Sequence, residues 1–93
     1  MYATVRNYAG NSELADALVE NESEVKRLIS GIDGFHSYYL IRTGDGVASV
    51  SVYDDKAGAD ESTRVAGEWL RENVPDVAGS PPQVSSGEVI INL

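Results

Sequence analysis

Asn7 and Tyr53 stand at the ends of the first and third predicted strands, and each comes shortly before a predicted helix. An amide can donate a hydrogen bond to a carbonyl or phenolate oxygen, and a tyrosine ring can stack on a flat ligand. In the predicted β-α-β-β-α-β order, strands one and three are expected to be parallel neighbours, so these side chains meet at one end of the sheet beneath the helix starts. The pattern predicts a small pocket for an aromatic ligand there.

Three further side chains, His36, Tyr38 and Ser51, are placed on the same sheet face. His36 is the chain's one histidine, and an imidazole titrates near neutral pH, so it is a candidate base for a phenol. The alternative is a histidine at the sheet margin that bonds to a loop or to solvent. Tyr38 can stack on a ring, and Ser51 is as well explained by packing as by function.

Two polar residues interrupt the inward faces of the predicted helices, Asn21 in the first and Ser62 in the second. Both are expected to face the middle of the sheet. Buried polar groups need partners, and these could be each other, water or a ligand. Arg6 and Arg42 can hold an anionic group, but pairing with surface carboxylates is the expected arrangement.

The order of elements read from apolar periodicity and turn residues is β-α-β-β-α-β. Apolar residues recur at helical spacing in two segments, and alternating segments bounded by glycine-rich turns indicate strands. The predicted bounds are Tyr2–Tyr8 (strand), Glu13–Ser30 (helix), Phe35–Thr43 and Val47–Tyr53 (a hairpin), Lys56–Asn73 (helix) and Val84–Asn92 (strand, with a bulge at Gly87). The helix rise of about 1.5 Å per residue carries Trp69 towards the far core near Leu40 and Val47.

This order predicts an α+β, ferredoxin-like sandwich with an antiparallel four-stranded sheet and both helices on one face. Pairing across Gly44 and Asp45 gives the hairpin two distinct faces, of which one is largely aliphatic and the other mixes aromatic rings with small hydroxyls. Neither face reads as solvated. Since only one layer of helices is available, we expect a second copy of the chain to cover the bare face, as a homodimer.

Composition sets the class of protein. The 93 residues form a single domain, residues 1–93, with a net charge of −8 from 15 acidic and 7 basic residues. Such a surface is a poor partner for nucleic acid, and the chain carries no apolar run of about 18 residues that would span a membrane. It has no cysteine and no apolar signal core at its start, so a cytoplasmic location is expected. No metal and no cofactor are expected.

Gly34-Phe35 opens strand two, and Ser51-Val52-Tyr53-Asp54-Asp55 leads into an alanine-rich second helix. With these marks and this element order, nearly the whole chain resembles the antibiotic-biosynthesis-monooxygenase-like domains of the dimeric α+β-barrel superfamily. The resemblance implies two sheets packed across a dimer, with the helices outside. It also implies a pocket in each subunit between sheet and helices.

The haem-degrading branch of that superfamily uses an asparagine on strand one, a tryptophan at the end of strand three and a histidine on helix two. Asn7 matches the first position and Tyr53 replaces the tryptophan, but the second helix contains no histidine. Haem iron would lack its axial ligand, so haem degradation is not expected. The quinone-forming branch works without metal or flavin, on an acidic phenol that reacts directly with oxygen.

Three hypotheses of function remain. In the first, the protein oxygenates a small electron-rich aromatic without a cofactor: His36 takes a proton, Asn7 holds the oxyanion, and Tyr38 and Tyr53 sandwich the ring, with Ser51, Asn21 and Ser62 as further contacts. In the second, the alternative to this leading hypothesis, it is a non-catalytic dimeric ligand-binding or stress-related module, and its sequence support is the incomplete haem triad and the single histidine. In the third, it is an accessory subunit whose acidic face docks another protein.

Overall fold

The structure is a computed structural model, and it describes residues 1–9, 12–75 and 82–93. Four strands and three helices are formed by these residues. In chain order they are β1 (Tyr2–Ala9), α1 (Ser12–Glu20), α2 (Glu22–Ser30), β2 (Phe35–Arg42), β3 (Gly46–Tyr53), α3 (Lys56–Asn73) and β4 (Gln83–Glu88). No helix in the described ranges is long and apolar enough to cross a bilayer.

The strands form one sheet in the order β2-β3-β1-β4, and every neighbouring pair is antiparallel. The helices pack on one face of this sheet, which confirms the predicted α+β, ferredoxin-like fold. One assumption of the sequence analysis is wrong: β1 and β3 are neighbours, but they run in opposite directions. The β2–β3 hairpin reverses the chain before it returns beside β1, so Tyr53 pairs with Tyr2 at the beginning of β1.

The first predicted helix is two helices, because the chain breaks at Asn21. The backbone there leaves helical geometry, with φ −108° and ψ 28°. The Asn21 side chain donates a hydrogen bond of 2.8 Å to the carbonyl of Ala17, one turn earlier. A short amide that bonds to a local carbonyl competes with the regular helical pattern, and a new helix starts at Glu22.

The hairpin has the predicted faces. The Thr43 amide donates to the Gly46 carbonyl at 3.0 Å, which closes the turn. Positions on the helix side of β3 are buried and those on the other side are partly exposed. A register shift between Phe35 and Ser37 places Phe35, rather than His36, opposite Tyr53. β4 is shorter than predicted and pairs with β1 in continuous register through Gly87, so the predicted bulge is absent there.

The core lies between the sheet and the helices. Tyr53 is fully buried and donates a hydrogen bond of 2.9 Å to the Ile29 carbonyl. Its ring meets the Phe35 ring edge-on, with 5.9 Å between the ring centroids. The helix α3 begins where the Asp55 side chain accepts a 3.2 Å hydrogen bond from the Gly58 amide. The remaining core residues are apolar side chains from the helices and from β1 and β3, namely Tyr8, Leu14, Ala15, Leu18, Val25, Ile29, Val47, Ala59, Trp69 and Leu70.

Candidate functional site

The most unusual side chain in the core is Arg6, which is 1% exposed. Side chains of a strand alternate between faces, and the burial of β1 follows this rule: Thr4, Arg6 and Tyr8 are buried while Val5 and Asn7 are exposed. Arg6 therefore projects from the middle of the central strand into the layer beneath the helices.

The Arg6 guanidinium is held by four hydroxyl groups. Its Nε donates to Ser49 at 3.1 Å and its Nη2 to Ser51 at 2.7 Å, both on β3. Its Nη1 donates to Ser62 at 3.2 Å and to Thr63 at 3.1 Å, both on α3. Four of the five guanidinium N–H groups are thus satisfied, and the head is fixed between sheet and helix.

The charge of Arg6 is solvated but not neutralised. Within residues 1–9, 12–75 and 82–93, its hydrogen-bond partners are hydroxyls, and no carboxylate forms an ion pair with it. An arginine stays protonated in proteins, and a buried charge without a counter-charge costs several kcal/mol. An anion bound beside the guanidinium would offset part of that cost.

Tyrosine hydroxyls surround the same region. Burial raises the pKa of Tyr8, Tyr38 and Tyr53 above the ordinary value of 10.0, and the nearby positive charge of Arg6 opposes this shift without cancelling it. All three therefore stay neutral at physiological pH. None of them supplies the negative charge that Arg6 lacks. Tyr8 and Tyr38 can donate hydrogen bonds to an anion, whereas the Tyr53 hydroxyl already donates to the Ile29 carbonyl.

A small cavity opens beside Arg6 and Ser49. Its walls include Tyr8, Tyr38 and Trp69, and the rest is aliphatic. The cavity volume is about 30 Å³, which is enough for about one or two water molecules. In this conformation the cavity admits a single polar head group but not an aromatic ring.

Four of the predicted ligand-binding residues lie in this layer. Ser51 and Ser62 are buried and bind the Arg6 guanidinium, and Tyr38 lines the cavity. Tyr53 is in the same layer but is enclosed in the core beside Phe35. The roles of all four as ligand contacts stay predictions.

Asn7 does not meet Tyr53. Asn7 pairs with Ala48 on β3 and lies on the face opposite the helices. Tyr53 pairs with Tyr2, so the two positions are separated by roughly 17 Å along the strand at about 3.4 Å per residue. The prediction of a shared pocket is wrong for this pair because β1 and β3 are antiparallel and because Asn7 occupies the outward phase of the strand.

His36 lies outside the cavity. It is exposed at the irregular start of β2, and its Nε2 contacts the carboxylate of Asp54. That carboxylate lines an open acidic groove of about 540 Å³ at the end of the sheet, together with Asp33, Asp55 and Glu61. The expectation that His36 faces the pocket is wrong, because the register shift removes it from the position opposite Tyr53.

Asn21 is not directed at the middle of the sheet either. It is half-exposed at the break between α1 and α2, where its amide is bonded to the Ala17 carbonyl. The hydrogen-bond partner of the Asn21 side chain is therefore the last turn of α1. By contrast, Trp69 lies where expected: it is buried, lines the cavity with Leu40, and donates a 2.9 Å hydrogen bond to Glu24 on α2.

The sequence makes Arg6 a candidate anion-binding residue but predicts that it pairs with surface carboxylates, as Arg42 does with Asp16 at 2.9 Å. The signal for its burial was an excess of hydroxyls at inward positions. Ser49 and Ser51 occupy the buried phase of β3, and Ser62 and Thr63 stand where α3 faces the sheet. Hydroxyls at such positions need a partner, and that partner is Arg6.

The described residues do not fit haem. The one histidine of the sequence is outside the cavity and bonded to Asp54, and the cavity holds about 30 Å³. In the part of the chain that the structure describes, no group of three or more histidine, cysteine, aspartate or glutamate side chains is arranged to hold a metal ion.

The fold is shared with solved structures of monooxygenase-like proteins. A candidate antibiotic biosynthesis monooxygenase from Nitrosomonas europaea aligns with a TM-score of 0.73 at 14% identity, covering 98% of this chain and 100% of that one. A protein of unknown function from the same organism aligns with a TM-score of 0.71 at 20% identity, covering 99% and 90%.

A monooxygenase from Streptomyces coelicolor, in complex with the ligand nanaomycin D, aligns with a TM-score of 0.61 at 19% identity, covering 98% of this chain and 91% of that one. No family model and no curated protein matches the sequence. The chain therefore has the antibiotic-biosynthesis-monooxygenase-like, ferredoxin-like fold.

Proposed function

We propose that the protein is a cofactor-independent monooxygenase that oxidises a small phenol, bound as its phenolate against Arg6. The observation that carries this proposal is the buried guanidinium, which is held by four neutral hydroxyls and has no carboxylate partner among the described residues. A bound phenolate would supply the missing charge. The likeness in fold to monooxygenases is a second, weaker support.

The proposed reaction needs no external reductant. The phenol and dioxygen give a quinone and water: one oxygen atom forms the new carbonyl on the ring, and the other leaves as water with the two hydrogens lost by the phenol. All the electrons that reduce dioxygen come from the ring. Arg6 contributes by favouring the charged form of the phenol, since a neighbouring positive charge lowers the pKa of an acid, and the phenolate is the more electron-rich reactant.

The neutral tyrosines have a supporting role in this proposal. Tyr8 and Tyr38 line the cavity beside Arg6 and, as neutral donors, can hydrogen-bond to the phenolate oxygen. Neither His36 nor Asn7 reaches the cavity, so the proton is lost to solvent as the phenol binds, rather than to a histidine base.

The experiment is oxygen consumption measured with an electrode over a panel of phenols and anthrones, without added flavin or metal, with quinone followed by absorbance. We expect the wild type to consume one dioxygen for each phenol oxidised. In Arg6→Met we expect the rate of oxygen uptake to fall at least about tenfold, which corresponds to about 1.4 kcal/mol of transition-state stabilisation. The matched control is Arg42→Met, which removes an exposed arginine paired with Asp16 and should leave uptake unchanged. Equal uptake by wild type and Arg6→Met would contradict the proposal.

The small cavity favours a second candidate, a module that binds a small ligand without oxygenating it. A space of about 30 Å³ admits a head group but no ring unless the walls move. Equilibrium binding of 4-nitrophenolate, read by quenching of the Trp69 fluorescence, separates the two candidates. Binding that depends on Arg6 without oxygen uptake by any phenol of the panel would favour the non-catalytic module.

A further inference from the structure

A second concave region lies directly outside the Arg6 cavity. It is a surface groove of about 270 Å³ between the α1–α2 pair and β2. Its outer lip carries Val19, which is 57% exposed, and an ion pair of 3.4 Å between Lys26 and Glu22. We call it the outer groove, defined by the side chains Leu18, Val19, Glu22, Val25, Lys26, Tyr38 and Leu40.

The outer groove and the Arg6 cavity share a wall. Four side chains line both of them: Leu18, Val25, Tyr38 and Leu40. The four residues reach the wall from α1, α2 and β2. The shared wall is therefore lined by side chains from three elements, and Tyr38 is the largest of them.

The break at Asn21 lies on the same side of the molecule. Val19 and Glu22, which flank it, form the lip of the outer groove. The two short helices are not one continuous helical segment there, and element ends of this kind are where proteins absorb small rigid-body shifts. The outer lip therefore lies at a break between two helices, and α2 is itself tied to α3 by the hydrogen bond from Trp69 to Glu24.

The geometry points to a divided ligand site: the anionic head group lies at Arg6, the apolar body extends into the outer groove, and the Tyr38 side chain, which stands in the shared wall, turns aside to let the ligand pass. This inference rests on the proposed function for the identity of the ligand, an amphiphilic aromatic anion. The sizes agree with such a division: the cavity takes a head group, and the outer groove approaches the roughly 300 Å³ at which small-molecule sites begin. Tyr38 then determines which ligands pass.

The chain offers a built-in reporter for this inference. Trp69 is its one tryptophan and lines the inner cavity, and the absence of cysteine allows a single introduced thiol to be labelled specifically. Acrylamide quenching of Trp69 fluorescence reports how readily a small molecule reaches the cavity, whether or not the protein oxygenates anything.

The first test blocks the outer groove. Val19→Cys labelled with a bulky maleimide should reduce acrylamide quenching of Trp69 severalfold, and it should reduce any oxygen uptake. The control is Glu72→Cys with the same label, since Glu72 is exposed on α3 and does not line the groove. Equal quenching in the two labelled proteins would overturn the inference, as would oxygen uptake that is unaffected by the label at position 19.

The second test opens the wall between the two spaces. Tyr38→Ala should increase quenching severalfold, while Tyr38→Phe, which keeps the ring, should not. Tyr39→Ala is the matched control, because Tyr39 is the next residue of β2 and lies 62% exposed on the opposite face. Quenching that rises no more in Tyr38→Ala than in Tyr39→Ala would overturn the inference. A positive quenching result without oxygen uptake would remove the proposed reaction and leave the divided site standing.

Discussion

At the scale of single residues, Arg6 departs most from what a core position requires. An apolar side chain of similar length would fill the same space without the desolvation of a charge, but it would take away the donor to the four hydroxyls that now accept from Arg6. The four hydroxyls around Arg6 stabilise the charge but do not neutralise it. The charge that these hydroxyls leave without a counter-charge is the feature on which the proposed anion site rests.

The buried tyrosines make the stability of the fold depend on pH. The pKa values of Tyr8, Tyr38 and Tyr53 are raised mainly by burial, so the folded protein holds these phenolic protons more tightly than the unfolded chain. The contribution of these raised pKa values to the free energy of unfolding is fully present below pH 10.0. It is lost as the pH rises from there through the pKa values of the folded protein.

We expect the free energy of unfolding to fall above pH 10.0 by up to about 1.4 kcal/mol per pH unit for each tyrosine that stays neutral. Urea unfolding at a series of alkaline pH values measures this slope. Tyr38→Phe removes one of the three groups and should make the slope smaller. A free energy of unfolding that is constant above pH 10.0, or a slope unchanged in Tyr38→Phe, would show that these hydroxyls are not held neutral by the fold.

At the scale of elements, two glycines of α3 test how this helix is pressed against the sheet. A Cβ built on Gly58 would come within 2.9 to 3.0 Å of the Cβ, Cγ and Cδ1 atoms of Tyr53, whereas one on Gly67 would meet only the flexible end of Arg71 at 3.4 Å. The Tyr53 ring cannot yield easily, because its hydroxyl is bonded to the Ile29 carbonyl.

We expect Gly58→Ala to destabilise the protein by about 1–3 kcal/mol through this overlap, despite the better helix propensity of alanine. Gly67→Ala, in the same helix, should stabilise by up to about 1 kcal/mol because propensity acts there without a clash. Urea unfolding of both variants gives the comparison. If the two substitutions had effects of the same sign, the close approach of α3 to Tyr53 would not be the constraint that the structure indicates.

The elements themselves were largely predictable, because their signals are local. The bounds of α3, Lys56–Asn73, follow from an aspartate cap and a proline stop, and the hairpin faces follow from the two-residue turn. The break at Asn21 was missed because the apolar spacing continues across it. The register shift at His36 was missed because a β-bulge leaves little trace in an alternating pattern.

The site was less predictable than the fold, because it is built from contacts distant in sequence. Arg6 meets partners 43 to 57 residues away, and nothing near Arg6 in the chain specifies them. The predicted meeting of Asn7 with Tyr53 depended on the relative direction of two strands and on the phase of β1. A mistake in either moves a side chain to another end or another face.

At the scale of the whole molecule, one sheet face is left without helices. Side chains of β1 and β2 on this face are exposed although apolar or aromatic, with Val5 at 41%, Tyr39 at 62% and Ile41 at 46%. The smaller Ala48, Val50 and Val52 of β3 lie between them and are only partly covered. A largely apolar surface of this kind is typical of an interface between proteins.

We expect a second copy of the chain to cover this face, so that sedimentation equilibrium gives twice the 10.0 kDa mass of one chain. Ile41→Glu places a charge in the face and should shift the equilibrium to the monomer, because an unpaired charge is costly to bury. Val19→Glu is the control, since Val19 is similarly exposed at 57% but lies on the helix side. A wild type that is monomeric at all concentrations would contradict the prediction, and equal dissociation by both variants would assign the interface elsewhere. The divided ligand site lies on the helix side of the sheet, so a monomeric Ile41→Glu protein that keeps its ligand affinity would show that each subunit binds independently.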